Sequence, residues 1–298
     1  MVLVAAGQLN SSSSLIENGQ TVVKLISKAV ELGIKILFLP EASDYLAKNA
    51  SHSKKLVKSI DESPFVLEIQ KKLQDLHSKG IFININVGIH EPSPNSDRTQ
   101  NTSIWFNEKG EITQRYQKIH LFDVDVANGP ILRESESVEP GSQVLPPFDT
   151  IAGKVALGIC YDIRFPELAL RQRSLGAQIL TFPSAFTVRT GAAHWHLLGR
   201  SRAIDTQSYV IMAAQSGPHN TPDEEDLANG TDFKPTRISY GHSLIIDPWG
   251  TIIAETSDID VGKTALAIAD IDLDQLEIVR KNMPLWSQRR SDVFGYDV

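Results

Sequence analysis

The sequence predicts an α/β protein that folds as one domain, and three observations carry this prediction. Short apolar runs alternate with amphipathic helical stretches from one end of the 298-residue chain to the other. No segment rich in Pro, Gly or Ser divides the chain, so a single domain is predicted over residues 1–298. Hydrophobic residues make up 41% and charged residues 22%, which excludes general disorder and allows one substantial core.

In the first 117 residues, apolar runs predict strands and capping residues predict helices. Ser14 with Glu17 three positions later is a capping-box pattern, which begins a helix. In chain order the predicted elements are a strand over 2–9, a helix from Ser14 to about Leu32, a strand over 34–39, a helix over 64–78, and β-rich stretches over 81–90, 102–106 and 112–117, the last two joined by a turn at 107–110.

After residue 154 the same alternation resumes. Pro166 and Glu167 suit the first turn of a helix, and Asp272 is placed to cap another. In chain order the predicted elements are a strand over 155–159, a helix over 166–176, a strand over 178–182, a helix over 192–206, a strand over 209–214, a hairpin of 243–246 and 251–254, a strand over 265–271 and a helix from Asp272 to Asn282.

The segment from Ser216 to Thr236 is long, polar and without periodicity. Loops of this length in compact domains are usually functional or disordered. One interpretation is a lid over a site near the end of the preceding strand, and the other is a flexible acidic excursion.

Composition restricts the partners and the location of the chain. The formal net charge of -7 argues against a nucleic-acid-binding surface. No apolar run is long enough to span a bilayer, and residues 1–10 lack the basic start of a signal peptide, so we expect a cytoplasmic protein with no membrane partner, although a second compartment such as mitochondria stays open. Neither a GxGxxG nor a P-loop pattern occurs, so no cofactor is predicted.

Cys160 is the single cysteine of the chain, which rules out an intrachain disulfide. It follows an apolar strand and precedes a predicted helix, so it should lie near a helix N-terminus. Backbone N–H groups and the helix dipole at such a place favour a thiolate over a thiol and stabilise a developing oxyanion. Cys160 is therefore a candidate nucleophile, and the alternative is a buried structural cysteine.

Two further functional groups emerge from predicted strand ends. Glu41 follows the run Ile-Leu-Phe-Leu-Pro40, and Lys118 follows the strand over 112–117. Strand ends cluster in parallel-rich α/β folds, so Glu41, Lys118 and Cys160 are candidates for one site.

With these residues the chain resembles the nitrilase superfamily of carbon–nitrogen hydrolases, whose catalytic set is Glu, Lys and Cys in that order. The resemblance rests on Phe-Leu-Pro-Glu41, Tyr-Gln-Lys118-Ile-His-Leu-Phe-Asp and Gly-Ile-Cys160-Tyr-Asp-Ile-Arg-Phe-Pro-Glu, and it continues to Asp247-Pro-Trp-Gly, nearly the whole chain. It implies a four-layer α-β-β-α sandwich and a homodimer that packs helices across its interface.

Within the superfamily, the segment from Lys118 to Ser135 is similar to the eukaryotic amidases that act on deaminated glutathione, with ω-amidase as close kin. One departure is Tyr240, where this branch implies Trp. If Tyr240 borders the pocket, the substrate preference changes while the chemistry does not.

The resemblance also implies the role of each site residue. Glu41 takes the thiol proton, returns it to the leaving nitrogen and then activates water, which requires a raised pKa. Lys118 and the backbone N–H of Tyr161 stabilise the tetrahedral oxyanion. Glu134 orients Lys118 and shapes the pocket, although an isolated Glu in such a segment is more often a solvated surface residue.

Substrate contacts are predicted from residues close to Cys160 in the sequence. Arg164, in the same strand-to-helix turn, suits a bidentate contact with a substrate carboxylate, and the structural alternative is that it pairs with Glu167. Phe186 is expected to form an apolar wall, with Thr187 as a polar contact. The predicted partner is thus a small amide that bears carboxylates.

Competing kinds of site have weaker support. His194 and His196 on one helix point in different directions, whereas metal ligands on a helix are spaced i, i+4, so no metal is predicted. Gly241-His-Ser243 lacks the rest of a serine nucleophile elbow. Three functions remain: deaminated glutathione amidase, ω-amidase acting on 2-oxoglutaramate, and a non-catalytic scaffold that keeps the fold, which the intact Glu41, Lys118 and Cys160 set disfavours.

Overall fold

The computed structural model describes residues 1–125, 131–229 and 233–295. Residues 126–130 of the segment that is similar to the deaminated glutathione amidases lie outside the described residues, as do 230–232 of the predicted loop and 296–298.

Strands and helices alternate along the described chain. The strands are β1 (Val2–Leu9), β2 (Ile36–Phe38), β3 (Asn84–Pro92), β4 (Thr99–Phe106), β5 (Ile112–Gln117), β6 (Asp123–Asp125), β7 (Ile131–Arg133), β8 (Phe148–Thr150), β9 (Gly153–Leu157), β10 (Ile179–Thr181), β11 (Tyr209–Met212), β12 (Ala214–Pro218), β13 (Ile238–Tyr240), β14 (Leu244–Ile246), β15 (Ile252–Glu255) and β16 (Ala265–Ile271). The helices are α1 (Leu15–Glu31), α2 (Ala50–Leu56), α3 (Pro64–Ser78), α4 (Pro166–Ser174), α5 (Val188–Thr206), α6 (Glu224–Ala228), α7 (Leu273–Asn282) and α8 (Ser291–Phe294).

Helix boundaries follow from the capping residues. Ser14 caps α1 by accepting a hydrogen bond from the N–H of Glu17, and Asp272 caps α7 by accepting two from Asp274 and Gln275. Such caps satisfy N–H groups that have no partner within the helix. α5 begins at Val188, four residues before its predicted start, because Thr187 accepts from the N–H of Thr190.

Two β-sheets of the described chain pack face to face. In the first, hydrogen-bonded neighbours follow the order β13-β12-β1-β2-β3-β4-β5, and β16 also pairs with β1. The second follows the order β15-β14-β11-β10-β9-β8. Val4 and Phe38 of the first sheet meet Leu157 and Ile211 of the second in one buried apolar cluster, because alternate residues of a strand point to the same face.

Helices cover the outer face of each sheet. Val22 of α1 and Phe65 of α3 pack with Ile85 against the first sheet. Trp195 and Ala203 of α5 pack against the second sheet. The layers run helix, sheet, sheet, helix, which confirms the predicted four-layer α-β-β-α sandwich.

One predicted strand is two strands in different sheets. The apolar run 209–214 was expected to continue as one strand, but β11 pairs with β10 and β14, whereas β12 pairs with β1 and β13. The chain crosses between the sheets at Ala213, which is fully buried. Both sheets bury apolar residues, so the hydrophobicity of this run could not indicate where the chain passes from one sheet to the other.

The described part of the segment 216–236 is fastened to the rest of the chain. The backbone N–H of Ser13 donates to the carbonyl of Asn220 at 3.2 Å. Lys48 lies 2.7 Å from Asp226 of α6, and His219 is fully buried. An excursion without structure is therefore wrong for residues 216–229, while a lid remains a prediction. Among the described residues, no helix is long and apolar enough to cross a membrane.

Candidate active site

The site lies where strands of both sheets end. β2 is followed by Glu41 and β5 by Lys118 in the first sheet, while β9 is followed by Cys160 in the second. Because the two sheets face each other, these strand ends meet at one edge of the sandwich. The structure brings together the three residues that the sequence predicted to converge.

Glu41 and Lys118 form a buried ion pair. Nζ of Lys118 lies 3.0 Å from Oε1 of Glu41. Lys118 is 2% exposed and Glu41 is 5% exposed, so solvent screens this ion pair little. The other carboxylate oxygen of Glu41 accepts a hydrogen bond from the N–H of Ala185 at 3.0 Å, which fixes the carboxylate at the end of β10.

Glu134 is the second carboxylate beside Lys118. Nζ of Lys118 lies 3.0 and 2.9 Å from its two oxygens. One of those oxygens also accepts from the backbone N–H of Phe122 at 2.6 Å. Glu134 is thus not the solvated surface residue of the alternative interpretation, and its contacts suit the orienting role.

Cys160 lies in a strained turn. Its φ is 47°, a region that non-glycine residues avoid and that is found at functional sites. The backbone N–H of Cys160 donates to the carbonyl of Pro183 at 2.9 Å, which holds the turn against the end of β10. The Cys160 thiol lies beside the Glu41 carboxylate, and each group shifts the pKa of the other.

The electrostatics differ from two expectations. Burial, and then the charge of Glu41, raises the pKa of the Cys160 thiol, which Lys118 offsets only in part. The expectation of a thiolate was therefore wrong for the resting site: at Cys160 the chain forms a short 3-10 helix, Cys160–Arg164, and loss of hydration outweighs any helix-terminus effect.

The expected raised pKa of Glu41 was also wrong for the resting site. Burial by itself raises that pKa, but the charge of Lys118 and hydrogen bonds from Asn101 and Cys160 outweigh burial and lower it. Burial likewise lowers the pKa of Lys118, yet the charges of Glu134 and Glu41 hold it well above its ordinary value. The resting site therefore contains a carboxylate, an ammonium and a neutral thiol.

The backbone N–H of Tyr161 is available beside Cys160. Tyr161 is the second residue of the 3-10 helix Cys160–Arg164, and the first N–H groups of a helix lack partners within it. Within the described chain, no group accepts a hydrogen bond from this N–H. An N–H without an acceptor next to the nucleophile is free to bind an oxyanion, and this role of Tyr161 stays a prediction.

Arg164 lies beside the aromatic residues of the same turn. Its guanidinium lies 5.4 Å from the Phe186 ring centre and 5.7 Å from that of Tyr161. It contacts Nδ1 of His194 at 3.2 Å, and in the described part of the chain it forms no ion pair with Glu167. Its buried Nε has no hydrogen-bond acceptor among the described residues.

Phe186 and Thr187 have structural roles in the described contacts. Phe186 is 7% exposed and packs edge-to-face on Trp195, with ring centres 4.9 Å apart. Thr187 is exposed, and its side chain caps α5. Their proposed contacts with substrate stay predictions.

Sequence reasoning missed two side chains that organise the site. Nδ2 of Asn101 donates to Glu41 at 2.8 Å; the predicted strand began one residue later. Asp162 is fully buried and accepts hydrogen bonds from Tyr116, from the His120 backbone and ring, and from Ile159. It therefore ties the turn after Lys118 to the turn of Cys160. In the sequence, the position of Asp162 two residues after Cys160 was the one indication that Asp162 belongs to the site.

Comparison with known proteins identifies the family. The profile of the family described as carbon-nitrogen hydrolase matches residues 3–281. The chain belongs to this family. The carbon–nitrogen hydrolase is 45% identical over 295 residues to a probable hydrolase, nit2, of Schizosaccharomyces pombe, covering 99% of each chain. It is 40% identical over 296 residues to deaminated glutathione amidase of Rattus norvegicus, covering 98% of this chain and 84% of the relative.

Solved structures agree with the family and the branch. The NitFhit protein of C. elegans superposes with a TM-score of 0.86 at 36% identity, over 99% of this chain and 66% of that longer one. Nit3 of Saccharomyces cerevisiae, a member of branch 10 of the nitrilase superfamily, gives 0.78 at 32% identity, over 97% and 96%. The resemblance read from the sequence is confirmed: the chain is a nitrilase-superfamily hydrolase of small-molecule amide C–N bonds. The non-catalytic alternative is disfavoured.

Proposed function

We propose that the protein is a thioester-forming amidase whose preferred substrate is deaminated glutathione. One observation supports the mechanism: Glu41 lies 3.0 Å from the Lys118 ammonium and beside the Cys160 thiol, whose pKa its charge raises. A base, a positive charge and a nucleophile in mutual contact are what hydrolysis of an unreactive amide requires.

Acylation begins with attack of Cys160 Sγ on the amide carbon as the thiol proton moves to Glu41. In the resting site the negative charge of Glu41 disfavours a thiolate at Cys160. After the transfer Glu41 is neutral, and the new thiolate keeps the Lys118 ammonium as a positive neighbour. Lys118 and the N–H of Tyr161 stabilise the oxyanion. The C–N bond then breaks, Glu41 returns the proton to the departing nitrogen, and a thioester remains on Cys160.

Deacylation uses the same groups in reverse order. Glu41 removes a proton from water, and the resulting hydroxide attacks the thioester carbon. Lys118 and Tyr161 stabilise the second oxyanion. The C–S bond breaks, and the proton held by Glu41 returns to Sγ. Glu134 takes no proton in this scheme; it holds the Lys118 ammonium in place.

Deaminated glutathione is the proposed substrate for two reasons. Relatives of the chain are named deaminated glutathione amidase, and the Arg164 guanidinium offers a positive charge to a carboxylate of that substrate. Hydrolysis would release 2-oxoglutarate and cysteinylglycine. The alternative is ω-amidase activity on 2-oxoglutaramate, which releases ammonia. Parallel assays of the two amides, with 2-oxoglutarate measured for both and ammonia for the second, should give at least about tenfold higher kcat/KM on deaminated glutathione, roughly 1.4 kcal/mol of discrimination. A preference for 2-oxoglutaramate would favour the alternative.

Arg164→Ala should weaken hydrolysis of amides that bear carboxylates. The unpartnered Nε and its neighbouring N–H groups suit a carboxylate, and losing a hydrogen bond to a charged group costs about 1.5–3 kcal/mol in kcat/KM. Steady-state kinetics on charged and uncharged amides measure this loss. The matched control is Arg171→Ala, an exposed arginine of α4. Equal losses on both amide classes, together with a lower melting temperature, would indicate a structural role.

A homodimer is the proposed assembly. α5 exposes Leu197 at 65% and Ile204 at 43%, and residues seven apart on a helix lie on nearly the same face, so a second copy could cover both. Sedimentation of the wild type should give a dimer at micromolar concentration, and Leu197→Arg should weaken it. A monomer at that concentration would contradict the proposal. The cytoplasmic location remains a prediction, which fractionation of cells would test.

A further inference from the structure

A second cluster of chemically active side chains lies outside the Cys160 site. His196 lies on α5, His242 lies two residues after β13, and Glu255 ends β15. Nε2 of His196 and Nδ1 of His242 each lie 2.7 Å from Oε1 of Glu255. The centres of the two imidazole rings lie 5.5 Å apart. Three separate elements therefore converge on one carboxylate oxygen.

We propose that His196, His242 and Glu255 bind one divalent transition-metal ion of the zinc class. Two imidazoles and a carboxylate are a ligand set that zinc accepts, with a fourth position left for water. The three ligand atoms all lie within 4.8 Å of one another. Side-chain adjustments below about 1 Å bring them to the 2.0–2.2 Å bonds that zinc makes with nitrogen and oxygen.

The backbone and the aromatic neighbour prepare His242 for this role. The φ of His242 is 58°, which costs energy for a residue with a side chain and is concentrated at functional positions. Tyr240 stacks on the His242 ring with centres 4.4 Å apart, and its ring also packs against Gly191 of α5. The imidazole is thus held in orientation before any ion binds.

Access and position are also suitable for an ion. The side chains of His196, His242 and Glu255 are 33%, 18% and 30% exposed, so an ion can enter from solvent. His194 contacts Arg164 while His196 contacts Glu255, because residues two apart on a helix point in different directions. The metal site therefore lies on a different face of α5 from the Arg164 contact, and it would join α5 to β15.

Without a metal the same atoms form a hydrogen-bonded clamp, in which each histidine donates an N–H to Glu255. To bind an ion through the same nitrogens, each neutral imidazole must carry its proton on the other ring nitrogen, and the ion then takes the place of the two N–H groups that face Glu255. The clamp and the metal site predict different responses to added ZnCl₂, and this difference allows a direct test.

The test uses Cys160→Ala as the parent protein, so that the reactive thiol cannot bind zinc. Isothermal titration with ZnCl₂ should give about one equivalent per chain. Zinc at about 100-fold above the dissociation constant should raise the melting temperature by about 4 °C for a chain of this size. Adding His196→Ala should weaken binding at least tenfold and remove the temperature shift. The matched control is His194→Ala on the same helix, which should leave zinc binding unchanged.

Because replacement of His242 could disturb its strained turn, Glu255→Gln is the second variant, and it should also weaken zinc binding at least tenfold. Two results would overturn the proposal. One is the absence of zinc binding in the parent protein. The other is zinc binding that His196→Ala and Glu255→Gln leave unchanged, since it would then come from other groups.

Discussion

Cys160→Ala should abolish amide hydrolysis, with a loss on the order of 10⁴-fold or more in kcat, because no other group of the site can form the acyl-enzyme. The fold should persist. Cys160 has a positive φ, but alanine meets the same backbone restriction, so the substitution adds no strain. Steady-state assays and thermal unfolding of the purified variant measure the two effects.

Cys160→Ser is the matched control for Cys160→Ala. It keeps a side chain of nearly the same shape beside Glu41, yet a hydroxyl is a far poorer nucleophile, so it too should be inactive. Intact-mass measurement of the wild type during turnover should detect the acyl half of the substrate on Cys160. Near wild-type hydrolysis by Cys160→Ala would exclude the thioester mechanism, whereas near wild-type hydrolysis by Cys160→Ser would show that the reaction does not need a thiolate.

Much of the site was predictable because its residues follow strands. The apolar runs before Glu41 and Cys160 and the β-rich stretch before Lys118 predict strands, and the sheet geometry then places their ends together. The four-layer architecture came with the family resemblance, since alternation alone gives only a layered α/β fold. The core confirms it, with separate apolar clusters between the sheets and under each helix layer.

The charge states of the site were not predictable from residue types. The sequence places a thiol near a helix start and an acid near a thiol, which suggested a thiolate and a raised pKa for the acid. The structure adds partial burial of Cys160 among apolar side chains and an ammonium shared between Glu41 and Glu134. The burial of Cys160 and the ion pairs of Lys118 both depend on the packing of residues that are far apart in the chain. Burial has the largest effect on the pKa of Cys160, whereas at Glu41 the Lys118 charge and the polar contacts together outweigh burial.

The partners of Asp162 and His196 were hidden for the same reason. Asp162 bonds groups 42 and 46 residues away in the chain, and His196 meets Glu255 at a separation of 59 residues. Local motifs contain no information on such pairs unless the topology is known. The strands β6, β7, β8 and β13 and the helix α2 were not predicted, because three to seven residues give little periodicity.

Lys118→Met should reduce kcat by about 10²–10³-fold or more, because both tetrahedral intermediates lose their positive partner. Methionine keeps most of the volume but leaves Glu41 and Glu134 buried without a cation, so stability should also fall. Burial raises the pKa of Glu41 in the absence of the Lys118 charge. The acid limb of the residual kcat/KM profile should therefore move to higher pH, since Glu41 must be ionised to accept the thiol proton.

Comparison with Glu41→Gln separates the oxyanion partner from the base. Glu41→Gln should lose on the order of 10²-fold or more on amides, and an activated ester should restore part of this loss, because its leaving group needs no proton. The same ester should not rescue Lys118→Met, since an oxyanion still forms. The exposed Lys109→Met in the turn after β4 is the matched control and should behave as wild type. Full rescue of Lys118→Met by the ester would mean that Lys118 does not stabilise the oxyanion, and its role would then be limited to holding Glu41 and Glu134.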